Sequence, residues 1–86
     1  MTDFDYYPNP AHGEFSINFN LERTLHVYCS LYDSSGRLVS ILENSKLTGG
    51  QHRLIIKTHK LKNGSYTLCF NAGGSFRNKP LIIENP

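Results

Sequence analysis

The stretch Leu31-Tyr32-Asp33-Ser34-Ser35-Gly36-Arg37-Leu38-Val39 decides the fold, because it joins two runs of alternating apolar residues through a turn whose chemistry reads residue by residue. The Asp33 carboxylate can fold back onto amide N–H groups one or two positions on, Ser34 and Ser35 suit the middle of a type I turn, and Gly36 supplies the positive φ at its exit. A glycine there closes a short loop with a bulge and fixes the register, so the apolar residues of both strands land on one face. The expected product is a β-hairpin, and nothing catalytic is implied by it.

Outward from this hairpin the same period of two recurs. Glu14 to Leu21 alternates with Phe15, Ile17, Phe19 and Leu21 on one side, and Thr24 to Asp33 is a second strand with Leu25, Val27, Cys29 and Leu31 inward. Leu38 to Leu42 forms the third strand, and Glu43 to Lys46 reads as a polar loop, with Leu47 as a plug returning to the core. Gln51 to Thr58 is expected to turn His52, Leu54, Ile56 and Thr58 inward. Ser65 to Asn71 buries Tyr66, Leu68 and Phe70, and Phe76 to Glu84 closes the chain, with Pro80 marking an edge or a bulge. Tyr6-Tyr7-Pro8-Asn9-Pro10 is a stiff lead-in that cannot be a central strand, and residues 1–5 read as the remnant of a linker or of an expression vector. With no helical period of useful length, the fold class is all-β: an immunoglobulin-like antiparallel β-sandwich of six or seven strands, residues 1–86 forming a single domain. The expected core is Phe15, Ile17, Phe19, Val27, Leu31, Val39, Ile56, Leu68 and Phe70.

Composition narrows the function classes. Eighty-six residues leave no room for a second domain, and the formal charge of +2 is too small and too scattered for a nucleic-acid partner. No apolar run approaches the ~20 residues of a membrane helix, and Met1 to Asp5 lacks the form of a secretory signal, so the chain is expected to be either a cytoplasmic protein or a fragment of a longer one. Cys29 points inward and Cys69 outward, so both thiols are expected to be free. His12, His26, His52 and His59 do not fall at metal-ligand spacings, and Asp33 with its two serines lacks a base and an oxyanion pocket. The residues therefore suggest no catalytic group, no metal, no cofactor and no small-molecule substrate.

Four motifs taken together go further. Tyr7-Pro8-Asn9-Pro10 followed by Gly13, Leu31-Tyr32-Asp33 followed by Gly36-Arg37-Leu38-Val39, Leu47 with Gly50 and His52, and Leu61 with Gly64 and Tyr66 stand in an order and spacing that resembles the type A C-terminal sorting domain of the type IX (Por) secretion system of Bacteroidetes. The likeness spans about residues 6 to 84. It implies a domain that directs a larger N-terminal cargo of the same precursor through the periplasm and across the outer membrane, to the cell surface or the medium. The implied partners are the outer-membrane translocon, its shuttle protein, and a sortase that removes the domain and anchors the cargo. Tyr7, Pro8, Asn9, Pro10, Gly13, Asp33, Gly36, Arg37, Gly50, Gly64 and Tyr66 match the family as architecture, and Lys79 with Leu81, Ile82 and Ile83 matches the closing strand expected to be read by the machinery. Pro80 and the finish Glu84-Asn85-Pro86 differ from the more usual basic ending. The alternative class is a non-catalytic, immunoglobulin-like glycan- or protein-binding module working through Tyr28 and Tyr32.

Overall fold

Seven strands account for most of the chain in the computed structural model, which describes residues 3–86. They are β1 (Phe4–Tyr7), β2 (Glu14–Leu21), β3 (Leu25–Asp33), β4 (Leu38–Leu47), β5 (Gly50–Lys57), β6 (Gly64–Ala72) and β7 (Ser75–Ile83). Two sheets result, one ordered β1-β2-β5 and the other β4-β3-β6-β7, with every strand pair antiparallel. The sandwich is immunoglobulin-like, but β4 pairs with β3 instead of extending the first sheet, so three strands face four.

The Asp33 turn forms as its residues dictate. One carboxylate oxygen, Oδ1, accepts the Ser35 hydroxyl at 2.7 Å and the N–H groups of Ser35 and Arg37 at 3.0 Å each. Gly36 sits at φ 85° and donates its N–H to the Asp33 carbonyl at 3.0 Å. The Ser35 hydroxyl and the Arg37 amide hold the Asp33 carboxyl below its ordinary 3.8.

Side chains of alternate residues fill the space between the sheets. Phe15, Ile17, Val27, Leu31, Leu68 and Phe70 are almost wholly buried, with Phe19 close behind and Ile56 packed half-buried against them. His52, Leu54 and Thr58 lie on the inner side as expected, Thr58 completely buried. Cys29 faces Phe70 inside, and Cys69 sits opposite Ser30 on the outer face, so the two sulfurs are free and lie on opposite sides of one sheet. Burial, helped by Cys69 and Glu43 nearby, pushes the Cys29 thiol up to about 12, and burial also raises Cys69.

Three expectations need correction. Val39 is 36% exposed, because a bulge makes two residues of β4 oppose one of β3: Leu31 faces Ser40, Tyr32 faces Leu38, and Val39 between them has no counterpart. Glu43 to Lys46 is not a loop. A second bulge at Leu42 restores pairing, so β4 runs on to Leu47, its inner residues Ser40, Glu43 and Ser45 half-buried at the flank where three strands face four. The linker reading of residues 1–5 fails for Phe4 and Asp5, which open β1. Phe4 is 2% exposed, its ring centroid 4.9 Å from that of Phe70, and it pairs with Phe19. The same reading of Met1 and Thr2 lies outside the described residues.

These placements set two expected outcomes. Leu68→Ala should lower unfolding free energy by about 2–5 kcal/mol in denaturant titration, whereas Ile41→Ala, on a side chain half in solvent, should change it by no more than ~0.5 kcal/mol. In the native protein at pH 8, alkylation followed by peptide mass mapping should label Cys69 well before Cys29, and equal rates would reverse the assigned faces.

Candidate recognition surface

β7 is an edge strand, hydrogen-bonded only to β6 within its sheet, and residues 6–11 run along its open side from Pro80 to Glu84, while Asp3 and Phe4 meet the side chains of Arg77 and Lys79. In the first half and middle of β7, Asp3 reaches Lys79 at 3.1 Å and Arg77 at 3.9 Å, while Lys79 Nζ donates to the Phe4 carbonyl at 2.6 Å and lies 4.7 Å from the centroid of the Phe4 ring. The Phe4 N–H, followed by Lys79 and Arg77, holds the Asp3 carboxyl below its usual value. Farther along, the Tyr6 hydroxyl donates to the Pro80 carbonyl. Asn9 Oδ1 takes the Ile82 N–H at 2.9 Å, and Ala11 donates to the Ile82 carbonyl at 2.8 Å and accepts from Glu84 N–H at 2.9 Å. Ala11 and Ile83 thereby form a short parallel bridge. The Tyr7–Pro8 and Asn9–Pro10 peptide bonds are both cis.

Asn85 locks the end of this seam. Its side-chain NH₂ donates to the Thr58 carbonyl at 2.7 Å and the Leu61 carbonyl at 2.9 Å, and its oxygen accepts the Thr58 hydroxyl at 2.8 Å and the Gly13 N–H at 3.1 Å. All four capacities of the amide are used, and only this orientation of the amide satisfies them. Its main-chain N–H also bonds Asn63 Oδ1 at 2.7 Å. Gly13, at φ 88°, turns its N–H toward Asn85 in a conformation a side chain would strain.

The residues expected from the resemblance to form the family motif divide accordingly. Tyr7, Pro8, Asn9, Pro10 and Gly13 lie on the covering segment, and Asn9 and Gly13 bond β7 and Asn85 directly. Gly64 pairs with Ile83, and Tyr66 is buried with its hydroxyl on the Lys62 carbonyl at 2.6 Å. Asp33 pairs with Tyr66, which brings the hairpin of Asp33, Gly36 and Arg37 to the same end of the sandwich, while Gly50 pairs with Leu21 at the other. On β7 itself, Leu81 and Ile83 are fully buried, Ile82 is 43% exposed, and Lys79 is partly buried on Asp3 and Phe4. Of the apolar run, only Ile82 therefore offers surface to a partner of the folded domain. β7 is an edge, one of the two readings of Pro80, but over Pro80 to Glu84 it is not open, because Tyr6, Asn9 and Ala11 already occupy the outward groups.

Tyr28 and Tyr32, the face expected for the alternative binding module, recur here beside residues that the sequence did not single out for binding. Beside β7, on the outer face of its sheet, Tyr28, Ser30, Tyr32, Cys69, Asn71, Phe76 and Asn78 line a cleft of about 260 Å³. Phe76 is 68% exposed at its rim. Three of the four histidines make structural contacts: His12 bonds the Glu84 carbonyl, His26 bonds Asn44, and His52 stacks on Phe19 and bonds the Thr48 carbonyl.

A family model described as the secretion system C-terminal sorting domain matches residues 5–84, from β1 past the end of β7. The chain belongs to that family, the sorting domains of the type IX (Por) system. No curated protein matches the chain closely enough to stand as a relative. The matched span of this sorting domain contains Asn9, Gly13 and all of β7, so the seam lies inside the unit the family shares. Asn85 is one residue beyond it.

Replacing Asn85 by Ala leaves two carbonyls, one hydroxyl and one N–H without their partner in a half-buried site. It should destabilise the sorting domain by about 1–3 kcal/mol in thermal or denaturant unfolding. Asn85→Asp should be at least as damaging, because it aims a carboxylate at the Thr58 and Leu61 carbonyls.

Proposed function

We propose that this domain is the C-terminal signal that carries a larger cargo from the periplasm through the type IX machinery, across the outer membrane and to the cell surface or medium. The translocon and its shuttle protein receive it, and a sortase then removes it and anchors the cargo. The observation that carries the reading is the family match over residues 5–84, reinforced by an edge strand at the position of the closing motif. Within β7, Ile82 supplies apolar surface and Lys79 positive charge, while Leu81 and Ile83 seat the strand against the core so that those two are presented in fixed positions. Catalysis belongs to the sortase, for which the domain is substrate.

The reading is tested by fusing the domain to a reporter that carries an inner-membrane signal and expressing it in a type IX-competent bacterium. The fusion should reach the surface or medium, and a reporter without the domain should stay in the periplasm. Because Lys79 also holds Asp3 and Phe4, Ile82→Ser is the cleaner probe of strand reading. It should keep the thermal midpoint and reduce export. Retention of the intact fusion in a competent host would refute the sorting role. Undiminished export of Ile82→Ser would remove Ile82 from the recognition surface.

A further inference from the structure

The open side of β7 has two halves of different character. Over Pro80 to Glu84 the outward main-chain groups are held by Tyr6, Asn9 and Ala11. Pairing with β6 continues without a register shift from Ala72–Ser75 to Gly64–Ile83, so the same alternation turns the N–H and C=O groups of Phe76 and Asn78 outward. Neither residue has a hydrogen-bond partner for those groups among the described residues. Four consecutive strand-pairing groups are thus left between the Gly73-Gly74 tip and Pro80, which has no N–H to extend the row. On the outer face of this half lies the 260 Å³ cleft rimmed by Phe76 and Asn78, and on the inner face stand Arg77 and Lys79.

We propose that Ser75–Lys79 is the docking edge of the domain, where a protein partner of the secretion apparatus adds a short extended strand whose side chains alternate apolar and acidic. The proposal rests on the sorting function and specifies the partner's chemistry. Residues of the added strand opposite Phe76 and Asn78 share their face, and an apolar side chain there enters the cleft between Tyr28, Cys69 and Phe76. Residues opposite Arg77 and Lys79 fall on the other face, where a carboxylate joins Asp3 beside two cations. Main-chain hydrogen bonds supply affinity, and the cleft and charges supply selectivity. A second copy of this domain fits poorly. Antiparallel pairing of two such edges about Asn78 sets Arg77 of one copy against Lys79 of the other, like charges in direct opposition.

Asn78→Pro is the discriminating variant. At this position the amide points away from β6, so the ring removes only an unpaired donor, as Pro80 already does opposite Thr67 two residues on. The variant should keep its thermal midpoint, whereas Arg77→Pro, which deletes a ladder bond to β6, should lower it. In the export assay Asn78→Pro should reduce surface delivery by about tenfold where one main-chain hydrogen bond sets occupancy, and Phe76→Ser, which removes the cleft's apolar rim, should reduce it as well. Normal export of both variants, beside normal export of the intact fusion, would overturn the docking edge and leave the sorting role standing. Failure of the intact fusion would instead sink the sorting role, and the edge is then judged in solution. Titrating the ¹⁵N-labelled domain with an acetylated, amidated heptapeptide of alternating valine and glutamate should shift the Phe76 and Asn78 amides and slow their hydrogen exchange. A valine–lysine peptide should do neither. Shifts centred elsewhere, equal binding of both peptides, or Phe76 and Asn78 amides already protected in the free domain would each refute the proposal.

Discussion

Ala11 donates one main-chain hydrogen bond to Ile82 and accepts another from Glu84, and on that pair the closure of the sandwich depends. A sandwich of separate sheets has an open flank wherever two edge strands lie side by side, and here the flank is formed by β1 and β7. β1 belongs to the first sheet through β2, yet the chain that follows it crosses the gap and pairs with the second sheet. The two prolines make this possible in a short space: neither offers an N–H that a third strand would need, and Asn9 between them contributes its side chain where its backbone does not bond. An exposed edge invites unwanted pairing, and this covering removes most of the risk along Pro80 to Glu84.

The strands that pack one face against the core were legible because a period of two cannot hide: Phe15-Ile17-Phe19 and Tyr66-Leu68-Phe70 are buried as their spacing requires. β4 was not, since two bulges break its period, and a bulge leaves no mark in the residues that form it. Val39 looked inward on an unbroken count but is itself the extra residue of the bulge between Leu38 and Ser40. β1 carried a faint alternation, Phe4 and Tyr6 against Asp3 and Asp5, too short to outweigh the prolines that follow it. With that segment read as a remnant, the partner of Lys79 was invisible. Asn85 had no signal at all, because a side-chain amide that joins Gly13, Thr58 and Leu61 is assembled from distant parts of the chain.

The candidate site shows the same division on a smaller scale. Lys79 and Leu81-Ile82-Ile83 stand out in the sequence as a charge followed by an apolar block, but parity splits that block. Odd-numbered positions of β7 hold the domain together, with Lys79 on Asp3 and Phe4 and with Leu81 and Ile83 in the core. Even-numbered positions, Phe76, Asn78, Pro80 and Ile82, face solvent. On the outer face of the sheet, what a partner of the folded domain can touch is therefore the set of residues that the apolar pattern ranks second, with the partly exposed Arg77 and Lys79 reachable from the other face.

This division bears on how recognition and folding are to be told apart in a sorting domain. Burying each of Leu81 and Ile83 is worth about 1.5–3 kcal/mol, a large share of the roughly 5–15 kcal/mol that keeps a domain folded, and Asn85 adds its network to theirs. Truncating the closing strand removes all three together with any surface that is read, so loss of export after truncation is the expected result whether the machinery recognises a strand or merely rejects an unfolded domain. Substitutions at even positions change the presented surface and leave the odd-numbered supports in place. Only they assign the signal to particular atoms, because the strand that is displayed is also the one that closes the fold.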